Sequence, residues 1–316
     1  SNKNFFHYLI FTLQKNFSID DYIRIMSITR QNLTVIIVSF KSEHVIEDCI
    51  KSIDNQIEII IIDNSNNATL KNYLEKKYIN VKCILSKENI GMGAGNNLGI
   101  KNCNNDLVFI LNPDVILNKD AINEIINASK NIESFSILAP LSDNAAYPNY
   151  KLDNKSLIND NDPFEVKSVD GFAMLLNAKR LKQKKDFYFF DENFFLYLEN
   201  DDLCKRIINL KEKIYVVPKS KVLHLGGKGV DEKYKDEIEL SRNWHWIWSK
   251  FYFNKKHYGF SFAVFKGLPS FFSALIKFLF YLSIFKRRKS KIYVCRILGF
   301  MNAFLGKKSS YRPKLD

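Results

Sequence analysis

Asn112, Pro113 and Asp114 directly follow the apolar, β-rich segment Leu107–Leu111. This segment predicts a buried strand, and Pro113 favours an extended turn that would hold the Asp114 carboxylate at the end of the strand. In open α/β sheets, ligands bind beyond the carboxyl ends of the strands. Asp114 therefore stands where a metal ion and a phosphorylated substrate would meet the protein, although an acid after a strand is also a common turn former or helix cap.

A second carboxylate, Asp63, ends the strand that we predict at residues 58–63. It could bind a ribose hydroxyl or a base N–H at the same edge of the sheet, or it could form an Asx turn. The glycine-rich run at residues 89–99 could let backbone amides approach a ligand before a helix begins. Its spacing fits neither a P-loop nor G-x-G-x-x-G, which disfavours a dinucleotide site of the Rossmann type.

The densest group of candidate catalytic residues follows an aromatic stretch and contains Glu199, Asp201 and Asp202. One of these carboxylates could act as a general base, because neighbouring acids and burial raise the proton affinity of a carboxylate. The alternative is that acids at the start of a helix only favour its dipole. His224 precedes two glycines at the end of a short predicted strand, where it could reach a metal ion or be purely structural.

These residues are embedded in alternating β-branched runs and amphipathic stretches, which is typical of a parallel sheet with crossover helices. We predict strands at 34–40, 58–63, 81–86, 107–111, 135–138, 169–177, 214–217 and 221–225, and helices at 45–53, 70–78, 120–130 and 199–210. The turn-rich segment at 141–165 is predicted to be a long mobile loop.

The composition, 46% hydrophobic and 26% charged over 316 residues, fits one catalytic-size domain with an appendage. The net charge of +13 is concentrated in residues 255–316, which hold 14 Lys and Arg against one acid. Because this tail is also rich in phenylalanine, we predict that it lies on an anionic membrane surface. Lys266, Pro269 and Lys277 interrupt its apolar run, which disfavours a transmembrane span. A solvated helical subdomain is the main alternative, and nucleic acid is a disfavoured partner.

We therefore predict a helical extension at 1–30, a catalytic domain at 31–258 and a basic, aromatic helical region at 259–316. The five cysteines include no C-x-x-C pair, which favours reduced thiols and a cytoplasmic protein at the inner face of the membrane. The apolar run at 5–13 lacks a charged leader and is not predicted to be a signal peptide.

Taken in order, these segments resemble glycosyltransferase family 2 with the GT-A fold, particularly the bacterial branch containing rhamnosyltransferases that build surface polysaccharides. The resemblance covers about residues 34–258 and rests on residues 35–40, 63–65, 89–99, 112–114, 170–172, 194–206 and His224. It implies an α/β fold with a mostly parallel central sheet. The implied reaction is an inverting transfer of a sugar from a dTDP- or UDP-sugar to a hydroxyl of a glycan or polyprenyl-diphosphate-linked acceptor.

The resemblance also implies roles for particular residues. Asp63 would hold the nucleoside, and Asp114 would stand for the final acid of the family's D-x-D metal motif, whose first acid is replaced here by Asn112. His224 would be the second protein ligand of Mg²⁺ or Mn²⁺. The residues expected to bind the nucleotide-sugar are Ser39, Phe40, Asp63, Asn89, Gly91, Asn96, Asn112, Asp114 and Gly171.

The acidic cluster departs from the family pattern. The family often has Glu-Asp-x-Asp-Leu with the first Asp implicated as base, whereas this chain has Asn200 at that place, and an amide cannot take the proton. We favour Asp201 as the base and then Glu199, with Asp202 better suited to orienting the helix or binding the acceptor. A sugar-phosphate nucleotidyltransferase and a non-catalytic scaffold of a polysaccharide assembly complex are the alternatives from other classes.

Overall fold

The described part of the protein comprises residues 29–144, 148–152, 161–313 and 315 of a computed structural model. The helical extension predicted at 1–30 lies outside it except for its last two residues, as does part of the loop predicted at 141–165. The strands are β1 Leu33–Ser39, β2 Glu58–Asp63, β3 Val81–Leu85, β4 Leu107–Leu111, β5 Val115–Leu117, β6 Ile137–Ser142, β7 Tyr150–Lys151, β8 Phe164–Glu165, β9 Ser168–Val169, β10 Ala173–Asn177 and β11 Ile214–His224. The α-helices are α1 Ile46–Lys51, α2 Ala68–Lys77, α3 Met92–Lys101, α4 Ala121–Asn131, α5 Ala178–Lys182, α6 Glu199–Asn209, α7 Lys235–Tyr258, α8 Phe260–Ser283 and α9 Arg287–Phe304.

Nine strands form the central sheet in the order β3-β2-β1-β4-β10-β6-β11-β5, with β8 paired to β11. The strands β1 to β4 are parallel to one another, and β6 is parallel to β11. β10, β5 and β8 run antiparallel to their neighbours. Most strands therefore share one direction, which confirms the predicted α/β class with a mostly parallel sheet.

Helices cover both faces of this sheet, which is why β1 is buried along its whole length. On one face, Leu74 of α2 and Ile125 of α4 belong to the same apolar core as alternate residues of β1. On the other face, Ile100 of α3 and Ile207 of α6 form a second core. The second core holds α3 and α6 side by side above the strands whose ends carry the predicted site.

Three of the predicted strands are joined or divided differently in the structure. The strands predicted at 214–217 and 221–225 form one strand, β11, whose register against β6 shifts between Val217 and Lys221. Pro218 lies in this irregularity, where a missing N–H is tolerated because the pairing is already interrupted. The strand predicted at 169–177 is divided into β9 and β10, because β9 pairs with β7 while β10 joins the central sheet.

The last three helices form a bundle with an apolar core of its own. Trp244, Trp248 and Phe251 of α7 pack with Cys295 and Phe300 of α9 and with residues of α8. The helices approach closely, since a Cβ at Gly299 of α9 would lie 2.4 Å from the Trp244 carbonyl oxygen. By its packing, α7 belongs with α8 and α9, although the boundary predicted at residue 258 assigns it to the catalytic domain.

The outer face of α8 is apolar and largely uncovered. Phe265, Phe272 and Ile276 are 73%, 53% and 66% exposed. The helix continues through Lys266, Pro269 and Lys277 without a break, and of the described helices it alone is long and apolar enough to cross a membrane by length and composition. Its packing against α7 and α9 keeps one side of it attached to the rest of the protein.

Candidate active site

The carboxyl ends of β1 and β2 bring Ser39 and Asp63 together, as the parallel register requires. The Ser39 hydroxyl donates to Asp63 Oδ1 over 3.1 Å, and the Asp63 carboxylate also accepts the backbone N–H groups of Ser65 and Asn67. Asp63 is only 2% exposed. The Asx turn that the sequence left open is therefore present, and it holds the carboxylate at the edge of the cleft. Phe40 follows Ser39 and is half-buried beside it.

The glycine-rich run contacts this edge through Gly91, which directly precedes α3. Asn64 Nδ2 donates to the Gly91 carbonyl, and Gly91 N–H donates to Asn89 Oδ1. Gly91 has φ +87°, and a Cβ there would lie 2.4 Å from the Phe195 carbonyl oxygen, so the position requires glycine. The same carbonyl accepts the Met92 N–H over 3.0 Å. The run is thus fixed to the segment that leads into the acidic cluster.

Several buried amide oxygens near this edge have no hydrogen-bond partner among the described residues. They are the Oδ1 atoms of Asn64, Asn96 and Asn112. Asn64 and Asn96 are 4% and 3% exposed, so these oxygens are sheltered from bulk water. A buried acceptor without a donor costs free energy, and a ligand rich in N–H and O–H groups would remove that cost.

The predicted metal ligands meet at the end of β4. His224 Nε2 lies 3.5 Å from Asp114 Oδ1, and the His224 ring stacks on Phe172 with its centroid 4.1 Å away. A separation near 3.5 Å is what two ligands of one divalent cation have when each lies about 2.0–2.6 Å from it. The two side chains therefore fit such an ion. The described residues contain no group of three His, Cys, Asp or Glu side chains that could hold a metal, so its other ligands would come from substrate and water.

Opposing effects act on the Asp114 carboxylate. Its burial by itself raises the pKa, but the hydrogen bond and the charge of His224, together with the backbone N–H of Gly229, leave the pKa below its ordinary value. Asp114 is 4% exposed and is covered by the loop after β11, since a Cβ at Gly229 would lie 3.5 Å from the Asp114 Cγ. The carboxylate is therefore held ionised, as a cation ligand must be.

The acidic cluster begins α6 after two strained residues. Tyr197 and Leu198 have φ of +70° and +66°, a left-handed conformation that costs free energy for residues other than glycine. Glu199 Oε2 is buried without a partner among the described residues. Burial, and to a smaller extent the charge of Asp201, raises the pKa of Glu199 to about 7. Asp201 forms an ion pair with Lys151 over 2.6 Å at the more open side of the cluster.

Asp202 has a different environment from the other two acids. It is fully buried and pairs with Arg206 at 2.8 Å, with Lys256 at 2.7 Å and with His257 at 2.8 Å. Lys256 also pairs with Asp191 at 2.7 Å. These contacts join α6 to α7, which supports the role in orienting the helix that the sequence suggested for Asp202.

The start of β10 connects the metal-ligand pair with the acids. Because β10 is antiparallel, its amino-terminal end lies at the same edge as the carboxyl ends of β1 and β4. A Cβ at Gly171 would lie 3.1 Å from the Asn200 Cβ, so glycine allows α6 to approach. Asp170 precedes it, and desolvation together with the charge of Asp201 raises the pKa of Asp170. Asn200 donates to the Val169 carbonyl over 2.9 Å.

Two parts of this site were not predicted from the sequence. The first is the loop after His224, where Ser42 Oγ donates to the Gly229 carbonyl and Asp231 N–H donates to the Lys41 carbonyl. The second is the first half of α7, where Trp246 packs against Tyr197. The only local signal was the Gly226-Gly227 pair, which predicts a turn but does not say what the turn covers.

Comparison with known proteins identifies the family of the chain. The model of glycosyl transferase family 2 matches residues 34–195, just over half of the chain. A low-salt glycan biosynthesis hexosyltransferase from Haloferax volcanii is 30% identical over 125 residues, which are 38% of this chain and 40% of the relative. The match thus spans less than half of that relative's length.

Two solved structures share the fold at low sequence identity. A mannosyltransferase from Pyrobaculum calidifontis, solved with GDP-Man and Mn²⁺, superposes with a TM-score of 0.53 at 12% identity, covering 90% of this chain and 93% of that one. GalNAc-T7, solved with UDP, GalNAc and Mn²⁺, gives a TM-score of 0.51 at 16% identity, covering 67% and 50%. The strand order, the ends of β1, β2 and β4, and the family match together establish that this chain is a member of glycosyl transferase family 2 with the GT-A fold.

Proposed function

We propose that the protein is an inverting glycosyltransferase that moves a hexosyl or deoxyhexosyl group from a nucleotide-diphosphate donor to a hydroxyl of a glycan or lipid-linked glycan. The observation that carries this proposal is the meeting, at one sheet edge, of the Asp114–His224 pair and the acids that begin α6. A transferase of this kind needs a cation site for the leaving diphosphate and a base for the acceptor, and this edge offers residues for both.

The donor would lie across the ends of β1 and β2. Asp63 and Ser39 would hold the nucleoside, with Phe40 beside it. The unpartnered oxygens of Asn96 and Asn112 would accept hydrogen bonds from hydroxyl or N–H groups of the donor. Asn89 and Gly91 would shape the pocket wall, and Gly171 would let α6 lie close to the start of β10, next to the bound sugar. A UDP- or dTDP-sugar is the proposed donor class.

Asp114 and His224 would hold Mg²⁺ or Mn²⁺. When bound, the cation offsets negative charge that grows on the departing nucleoside diphosphate, an effect worth several kcal/mol in enzymes of this type. The mannosyltransferase and GalNAc-T7 structures both contain Mn²⁺, which is consistent with this assignment. The role of the protein is to keep the Asp114 carboxylate ionised and His224 oriented by Phe172.

We assign Asp201 as the base, with Glu199 as the second candidate. The base removes the proton of the acceptor hydroxyl as its oxygen attacks the anomeric carbon, and the bond from that carbon to the diphosphate oxygen breaks in the same displacement. Asp201 lies at the more open side of the cluster, where an acceptor could reach it, whereas Glu199 Oε2 is buried. Asp202 would orient α6 through Arg206, Lys256 and His257.

The first test of the donor site is thermal stability in the presence of UDP, dTDP and GDP, each with Mn²⁺ and with EDTA. A ligand at 100 times its dissociation constant stabilises by about 2.7 kcal/mol, so a metal-dependent shift with one nucleotide is expected. Asp114→Ala should lose this shift while keeping its fold by circular dichroism. A wild-type protein with no shift for any nucleotide would favour the scaffold alternative, and release of pyrophosphate from a nucleoside triphosphate and sugar phosphate would favour the nucleotidyltransferase.

We also propose that the outer face of α8 rests on the cytoplasmic face of a membrane, where a polyprenyl-diphosphate-linked acceptor for cell-surface polysaccharide would be presented. The exposed apolar side chains adjoin Lys266 and Lys277, Lys286 lies in the turn after α8, and the first turn of α9 carries Arg287, Arg288 and Lys289. An apolar face bordered by cations is suited to anionic lipid headgroups.

Deletion of the tail would uncover the bundle core, so point substitutions are the better test of membrane binding. The combined change Phe265→Ser, Phe272→Ser and Ile276→Ser should abolish most co-sedimentation with phosphatidylglycerol vesicles, because each buried apolar side chain contributes about 1.5–3 kcal/mol. Ile79→Ser is the matched control, since Ile79 is fully exposed on the sheet domain. Equal binding of the triple variant and the control would refute the proposal.

A further inference from the structure

Arg242 lies in the first half of α7, against the loop that follows His224. A Cβ at Gly227 would lie 3.7 Å from Arg242 Nη1 and 3.9 Å from Nη2, so the guanidinium reaches the backbone of this loop. Two residues further on, Gly229 covers the Asp114 carboxylate. Arg242 is therefore a close neighbour of the loop that closes over the candidate metal site, although the sequence between His224 and Arg242 gives no hint of this.

On its other side, Arg242 faces the approach to the acidic cluster. Its charge acts on the hydroxyl of Tyr197, whose pKa is raised by desolvation despite the opposing effect of Arg242. Tyr197 packs against Trp246, which is one turn further along α7. Since Glu199 begins α6 two residues after Tyr197, the guanidinium lies between the loop over Asp114 and the residues leading to the candidate bases.

Most arginines in the described part of the chain are matched to acceptors, whereas Arg242 and the exposed Arg287 are not. Arg180 pairs with Glu212, Arg206 with Asp202, and Arg288 with Asp236 and Glu239. No acid or hydrogen-bond acceptor among the described residues pairs with the half-buried guanidinium of Arg242. A partly desolvated cation without a counter-charge reduces the stability of the folded protein, and an anionic ligand would remove that cost.

We propose that Arg242 is a binding residue for a diphosphate group that enters this cleft. A guanidinium donates two parallel hydrogen bonds to phosphate oxygens, which makes arginine suited to this ligand. The assignment rests on the proposed function, which supplies two sources of the same chemistry: the nucleoside diphosphate of the donor and the diphosphate of a lipid-linked acceptor. The position of Arg242 between the loop over Asp114 and the acidic cluster allows contact with either.

The test compares wild type, Arg242→Gln and Arg242→Lys by calorimetric titration with the nucleotide that stabilises the wild type, its nucleoside without phosphates, and farnesyl diphosphate. Loss of a charge-assisted hydrogen bond should weaken diphosphate binding roughly 10- to 100-fold in Arg242→Gln and less in Arg242→Lys, while nucleoside binding stays unchanged. Lys250→Ala is the control, because Lys250 is an exposed cation on the same helix. It should bind all three probes as the wild type does.

The outcomes separate the two sources. Weaker binding of the nucleotide alone assigns Arg242 to the donor, and weaker binding of farnesyl diphosphate alone assigns it to the acceptor. Unchanged binding of both overturns the inference while the proposed function stands; a wild type that binds neither probe overturns both. Melting temperature gives an independent readout: an unpaired cation should leave Arg242→Gln as stable as wild type or more so, whereas a structural role would lower its stability.

Discussion

Glu199, Asp201 and Asp202 lie within four residues of one another, yet their carboxylates face three environments. Glu199 is desolvated and unpartnered at Oε2, Asp201 pairs with Lys151, and Asp202 is enclosed by cations of α6 and α7. Residue type alone makes all three candidates for proton transfer. Their surroundings distinguish their roles. Burial without a partner raises the basicity of a carboxylate, whereas a carboxylate with a full set of ion pairs has no free lone pair to accept a proton.

Glu199 should lower the stability of the folded protein at high pH. Its pKa is about 7 in the folded protein, against an ordinary value of 4.5, so the folded state disfavours ionisation. The loss of stability begins as pH rises above 4.5, the pKa of the unfolded chain, and is complete above about 7, the pKa of the folded protein. Glu199→Gln should therefore be more stable than wild type at pH 8, by on the order of 1–3 kcal/mol, and similar to it at pH 4.5. Urea unfolding at both pH values measures this, and a difference that does not change with pH would contradict the explanation.

Neighbouring substitutions should separate chemistry from stability. Asp202→Asn leaves Lys256, Arg206 and His257 without their shared carboxylate and should cost about 3–5 kcal/mol in free energy of unfolding. Asp201→Asn loses an ion pair with an exposed lysine and should cost about 0–1 kcal/mol while removing sugar transfer. Urea unfolding and a transfer assay on both variants provide the check. Similar unfolding curves for the two would show that the buried network does not join α6 to α7 as described.

Among the elements, α3 lies directly against β1 and borders the proposed donor pocket. Two glycines on the helix allow this close approach. A Cβ at Gly95 would be 2.8 Å from Val38 Cγ1 and 2.9 Å from Cγ2, and a Cβ at Gly99 would be 2.5 Å from Ile36 Cγ2. The β-branched side chains of the strand have little rotamer freedom with which to move aside. Close packing of α3 is therefore what holds Gly91 and Asn96 near the ends of β1 and β2.

Gly95→Ala should push α3 away from β1 and destabilise the protein by about 1–3 kcal/mol. Val38→Ala removes both methyl groups that the new Cβ would meet. The double variant should therefore be more stable than the sum of the two single changes predicts, with a coupling of about 0.5–3 kcal/mol measured by urea unfolding. Strict additivity would mean that the contact between Gly95 and Val38 does not limit the approach of the helix.

In the molecule as a whole, the bundle of α7, α8 and α9 contacts the part of the site where the donor is proposed to bind. His245 of α7 is fully buried; its Nε2 bonds the Tyr311 carbonyl at 2.9 Å and its Nδ1 accepts from the Ser309 hydroxyl at 2.9 Å. The ring of Phe195 stacks on His245, and Arg312 lies 3.7 Å above the same Phe195 ring. The Phe195 carbonyl in turn accepts the Met92 N–H at the start of α3. Through Phe195, Arg312 is therefore connected to the wall of the proposed donor pocket.

This attachment should weaken at acid pH. Burial lowers the pKa of His245 to about 4 from its ordinary value of 6.5. Between these two pKa values the unfolded chain binds a proton at His245 that the folded protein does not bind. Stability is therefore lost as pH falls from about 6.5 towards about 4. His245→Gln should be less stable than wild type at pH 7.5, and the difference should shrink by on the order of 1–3 kcal/mol at pH 4.5. Urea unfolding at the two pH values checks this, and a constant difference would mean that His245 is not the titrating group.

Much of the sheet and the edge of the site could be predicted from local sequence. The strands at 58–63 and 107–111 have the predicted bounds, because unbroken apolar runs end in Asp63 and in Asn112-Pro113. The α/β class and the family followed from this alternation and from the order of the motifs. These are local signals, since strand ends and turn residues are defined within a few positions of the chain.

Only the tertiary structure decided which groups meet across long separations in the chain. Asp114 and His224 are 110 residues apart and become neighbours because β11 pairs with β5, directly after β4. The enclosure of Asp202 by Lys256, the position of Arg242 beside Gly227 and the burial of His245 depend on where α7 packs. Burial and ion pairing are properties of the folded surroundings, so a pattern of residue types can nominate these side chains but cannot assign their charge states or roles.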